Sequence, residues 1–111
     1  MRLTPLALLF AAALALPAAA EEITLYSGRH YDGDLQLYQG FEAATGIKVN
    51  VTEGKADEIV ARLEAEGEAS PADVFITADA GNLWRAEAKG LLQPVESETL
   101  TARIPEAYRV P

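Results

Sequence analysis

The sequence predicts an α/β fold built on a parallel sheet, and three observations carry that expectation. After residue 20, short apolar runs of period two alternate with longer runs of helical period. The resulting order is β-α-β-α-β-α, which a parallel sheet with helices on both faces satisfies. Each of the first three helical runs is closed by a glycine, at Gly46, Gly67 and Gly90.

The first twenty residues, MRLTPLALLFAAALALPAAA, stand apart from this pattern. Arg2 supplies a basic start, Leu3 to Leu16 an apolar run, and Ala18-Ala19-Ala20 a small-residue end before Glu21. That is the form of a cleavable signal peptide. The run is short for a span of ~20 residues and is broken by Pro5 and Pro17. A mature chain beginning at Glu21 and exported from the cytoplasm is expected. The chain has no cysteine, which excludes a lipid anchor on cysteine, disulfides and thiolate metal sites.

Residues 21–111 suffice for one small domain, with no repeat, low-complexity tract or linker. The net charge of the whole chain is −8, and loss of Arg2 makes the mature part more negative still. Such acidity is a poor match for nucleic acid or an anionic membrane.

The elements follow in order. ITLYS (23–27) reads as a strand. DLQLYQGFEAAT (34–45) reads as a helix, with Leu37, Phe41 and Ala44 at core spacing and Asp32 or Asp34 as its cap. IKVNV (47–51) alternates like a half-buried strand. ADEIVARLEAE (56–66) is a second helix, with Ile59, Val60 and Leu63 inward and its glutamates, with Glu68 beyond, on a solvated face. ADVFIT (72–77) is a third strand, and NLWRAEAK (82–89) a helix whose Trp84 is expected to cover the sheet. Residues 97–103 read as a last short helix capped by Ser97.

In such sheets ligands gather beyond the carboxyl ends of the strands. Three loops qualify: 27–33, 53–55 and 77–81. The first, SGRHYDG, holds the one histidine of the chain, His30, beside Tyr31. Phenols ordinarily titrate near ~10, so a phenolate ligand needs a strongly charged, hard cation such as Fe3+. The plain alternative is that His30 is a surface or capping residue and that Tyr31 packs on the first helix. These two residues alone leave both readings open. Asp79, in the third loop, reads as a helix cap rather than a ligand. Tyr26 and Tyr38 read as packing residues of a strand and a helix. No phosphate-binding fingerprint, cysteine nucleophile or convincing serine triad is present, so an enzyme is not expected.

The stretches LYSGRHYDGD, TGIKV, EGKADE, SPADVFIT and KGLLQPV resemble the ferric-iron-binding periplasmic proteins of bacterial ABC importers, across about residues 22–111. The resemblance implies a two-lobed, monomeric, periplasmic binding protein that closes on Fe3+ and delivers it to an inner-membrane ABC permease. Residues 1–20 are then a signal peptide, and residues 21–111 part of an N-terminal, three-layer parallel-sheet lobe, with the second lobe absent. His30 and Tyr31 are implied as metal ligands. Further tyrosines complete the shell in the family, including an adjacent Tyr-Tyr pair that this sequence does not contain. Some relatives place a glutamate ligand in the third loop; Ala78 stands at about that position here, so that ligand is not carried over. Arg29 is the residue implied to face a synergistic anion such as carbonate. The competing expectation is the same fold serving an anion or other small solute, for which helix N-termini at the loops are suited. Open sheet edges and a marginal core are also expected of a partial lobe.

Overall fold

The computed structural model describes residues 20–109, so the expected leader lies outside the described residues except for Ala20. Strands β1 (Glu22–Gly28), β2 (Lys48–Glu53) and β3 (Val74–Thr77) form one parallel sheet in the order β2-β1-β3. Helix α1 (Asp32–Thr45) joins β1 to β2, α2 (Ala56–Glu66) joins β2 to β3, and α3 (Ala80–Ala88) follows β3. A short helix α4 (Glu98–Arg103) comes last, its Ser97 hydroxyl accepting the Leu100 N–H at 3.3 Å. The predicted order is the observed one, with ends shifted by at most two residues. The first crossover runs outward from β1 and the second runs back past it. Right-handed connections therefore send α1 and α2 to opposite faces. Among the described residues β2 and β3 are both open edges, as expected of a partial sheet.

On one face Tyr26 packs with Ile59 and Leu63 of α2, backed by Ala72, Phe75 and Leu91. Full burial of each aliphatic side chain there contributes about 1.5–3 kcal/mol. A buried phenol also needs a hydrogen-bond partner. Tyr26 donates to the Glu66 carboxylate, 3.0 Å from both oxygens. Glu66 further accepts Arg62 Nε and Ser70 Oγ, each at 2.7 Å. Glu66 was expected among the solvated glutamates; the partners converging on it turn it toward the core instead. The Arg62 guanidinium, then the Ser70 hydroxyl, hold its carboxyl below the usual range, while burial pushes the Tyr26 phenol up.

Helix α1 departs from its expected core face. Leu37 and Phe41 are exposed, as is Leu35. The inward stripe is Asp34, Tyr38 and Glu42, spaced four residues apart. Two polar anchors explain the rotation. Arg29 draws Asp34 inward, and Glu42 accepts the Val49 N–H of edge strand β2 at 2.7 Å. Trp84, expected to cover the sheet, is 66% exposed, because α3 buries Ala86, two positions on and on the opposite side of the helix.

Candidate metal centre

Two residues at the end of β1, Ser27 and Gly28, shape the first loop. Ser27 is fully buried; its hydroxyl donates to the Arg29 carbonyl at 2.7 Å and accepts the Arg29 N–H at 3.2 Å. This closes a tight side-chain turn. Gly28 sits against the start of α2: a Cβ there would come within 2.7 Å of Ala56 Cα and Cβ. Glycine at this position lets the first and second loops touch.

The contact is made through Gly54. Its N–H donates to the Ser27 carbonyl at 3.1 Å, and its own carbonyl oxygen lies 3.1 Å from His30 Nε2. A carbonyl only accepts, so Nε2 carries the hydrogen of this bond. The other ring nitrogen, Nδ1, lies 3.9 Å from Glu53 Oε2. Glu53 ends β2 directly across from Ser27 in the sheet register.

Tyr31 occupies the residue before α1 in extended backbone, φ −107° and ψ 136°, and is 61% exposed. The Arg29 guanidinium lies 5.2 Å from the centre of its ring, within cation–π range. Arg29 Nε donates to both Asp34 oxygens at 3.1 and 3.0 Å, and Nη2 bonds Oδ1 as well. The Arg29 hydrogen bonds hold the Asp34 carboxyl below its usual range, and the same pairing raises the guanidinium further. Neither Asp32 nor Asp34 caps α1, contrary to expectation; Asp34 is committed to Arg29 and buried.

His30, Tyr31, Asp32, Tyr38, Val51 and Glu53 line one open pocket of about 700 Å³ at the carboxyl edge of the sheet. The histidine and the tyrosine singled out from the sequence thus share a cavity. Glu53 is the member that sequence reasoning missed; its position at the head of the second loop was the available signal. Asp79 stays outside: its Oδ1 accepts the Asn82 N–H at 2.7 Å, which is the expected cap, and the Asn82 side chain holds its carboxyl low. Among the described residues no group of three or more His, Cys, Asp or Glu side chains is arranged to hold a metal ion. A larger, apolar groove runs along Leu83, Leu92, Val95, Leu100 and Ile104, but it holds neither imidazole nor phenol. No helix of the described residues is long and apolar enough to cross a membrane.

Residues 35–108 match the family model described as bacterial extracellular solute-binding protein. Iron uptake protein A1 of Synechocystis is 55% identical over 95 residues, covering 86% of this chain and 26% of the relative. The major ferric iron-binding protein of Neisseria gonorrhoeae is 37% identical over 94 residues, covering 85% of this chain and 28% of the relative. Among solved structures, Trichodesmium IdiA (FutA) in complex with iron and citrate superposes with a TM-score of 0.77 at 54% identity, covering 81% of this chain and 28% of that one. The ferric binding protein from Campylobacter jejuni gives 0.78 at 50% identity, covering 79% and 28%. The chain therefore spans about a quarter of the length of these relatives, and its parallel sheet with helices is an incomplete lobe of their fold. The family model over residues 35–108, with a fold and a sequence shared to this extent, places the chain in the bacterial extracellular solute-binding protein family.

Proposed function

We propose that this chain is part of the periplasmic substrate-binding component of a ferric-iron ABC importer, with His30 and Tyr31 supplying two ligands to Fe3+. The observation that carries the reading is the convergence of the sole imidazole and an exposed phenol on one pocket at the carboxyl edge of β1. The names of the relatives, which are iron-uptake and ferric-binding proteins, support the same cargo.

Charge separates this reading from the alternative of an anionic solute. The pocket is lined by the acidic residues Asp32, Asp34 and Glu53, and Asp34 already engages the nearby guanidinium, Arg29. A synergistic anion at Arg29 would have to share that guanidinium with the Asp34 carboxylate. Two protein ligands leave a ferric shell unfilled, so the remaining donors come from segments that the relatives possess beyond the matched quarter, with an anion such as carbonate or citrate as a further donor. The Tyr31 phenol must lose its proton to bind, whereas His30 binds through an unprotonated ring nitrogen, so iron capture releases at least the phenol proton. The protein works as a monomer that hands its ion to the permease and performs no chemistry on it.

The test is Tyr31→Phe in the full-length protein. Loss of part of the visible phenolate-to-iron charge-transfer absorption, with weaker ferric binding, is expected. An unchanged band with unchanged affinity would sink the ligand assignment. Export is tested separately: mass spectrometry of the secreted protein is expected to find Glu21 at its N-terminus.

A further inference from the structure

We propose that Arg29 and Asp34 act as one positioning unit for Tyr31, fixing where its phenol oxygen meets the metal. The proposal rests on the ferric reading above and gives these two residues a role exerted through Tyr31 rather than as ligands.

The geometry is specific. Tyr31 is largely exposed and sits at the mouth of the pocket. The guanidinium of Arg29 lies over its ring. Arg29 is in turn gripped by Asp34 through Nε and Nη2, a forked pairing that a lysine ammonium does not reproduce. Asp34 is buried in the first turn of α1, and its N–H donates to the Tyr31 carbonyl at 2.9 Å. One residue therefore holds the backbone of Tyr31 directly and its ring through Arg29.

The charge balance also fits a metal-supporting role. An unpaired arginine beside a trication would repel it. Paired with Asp34, Arg29 sits over the ring while adding no net charge to the site. With the Arg29 side chain still 35% exposed, such a pair adds only modestly to stability. Here the paired residues flank the two candidate ligands in sequence, Arg29 before them and Asp34 after them.

The test uses the full-length protein with Arg29→Lys, Asp34→Asn and the double variant Arg29→Gln/Asp34→Asn. In metal-free protein, NMR of 13C-labelled tyrosine is expected to show the Tyr31 ring signals displaced in all three variants. Ferric binding, assayed with citrate and again with nitrilotriacetate as the companion chelator, is expected to weaken about tenfold or more in each single variant, the scale of partners that orient metal ligands. The double variant is expected to lose no more than the worse single one, and the charge-transfer maximum to shift in each. Undisturbed Tyr31 signals in the metal-free variants overturn the proposal whatever the protein binds. A loss confined to the citrate assay overturns it in favour of a direct anion contact at Arg29. Displaced ring signals in a protein that shows no ferric band at all uphold the positioning unit while refuting the ferric reading.

Discussion

His30 Nε2 lies 3.1 Å from the carbonyl oxygen of Gly54, so the imidazole of the first loop is steadied by the backbone of the second. The same glycine donates its N–H to Ser27, the last fully buried residue of β1. One residue thus ties the strand end and the candidate ligand together. Ring nitrogens that support metal binding are oriented in this way, by fixing which nitrogen holds the proton.

Gly28→Ala tests how much the site depends on that closeness. The added Cβ meets backbone at Ala56, and backbone has no rotamer by which to retreat. Overpacking of this kind costs about 1–3 kcal/mol. The loops are expected to part, and ferric binding to weaken along with the melting temperature. A variant with wild-type melting and wild-type affinity would show that the approach of β1 to α2 is not needed.

Glu53→Gln should separate the site from the fold. The Glu53 carboxylate is well exposed and too far from Nδ1 for a hydrogen bond, so its pairing with His30 adds little to stability. Melting is expected to be unchanged. Ferric affinity is expected to fall about tenfold, the scale seen for groups that support metal ligands. Equal affinity in the two proteins would remove Glu53 from the site.

Much of this was legible in the sequence, for reasons that particular residues display. Period and glycine stops gave the order of strands and helices because burial and backbone conformation act locally on them. The end of β1 was recognisable as a binding edge because parallel sheets place loops there. The inward face of α1 was not legible, because it is decided by Arg29 and by the Val49 N–H, both distant in the pattern that a helical period measures. Glu66 escaped for the same reason: its three partners come from β1, α2 and the turn before β3. Glu53 stood at the head of a qualifying loop, but its place across from Ser27 needed the register of β2 against β1, which no composition or spacing states.

Acid should dismantle the lobe through its paired carboxylates. Asp34, Glu66 and Asp79 are each held below their usual values by hydrogen bonds, from Arg29, Arg62 and Asn82 respectively. A carboxyl depressed in the folded state adds stability that is complete above its unfolded value and lost as pH falls through the folded one. With unfolded values near ~4, stability is expected to be flat with pH above about 5 and to decline below about 4. Melting followed by circular dichroism from pH 7 to pH 3 checks this; a stability that rises on acidification contradicts the pairings.

A pair of leucines decides whether the core lies where the structure puts it. Leu63, on α2, is buried against Tyr26 and Ile59, whereas Leu37, on α1, is 60% exposed despite its helical spacing. Leu63→Ala is expected to cost about 2–5 kcal/mol, because transfer and cavity terms add. Leu37→Ala, with neighbours on one side only, is expected to stay within about 0.5 kcal/mol. Chemical denaturation of residues 21–111 reads both. The same measurement reports on the partial lobe itself, whose open edges and small core should give a low midpoint. A reversed ranking would mean that α1 turns its apolar stripe onto the sheet, which would pull Asp34 away from Arg29 and dissolve the support beneath Tyr31.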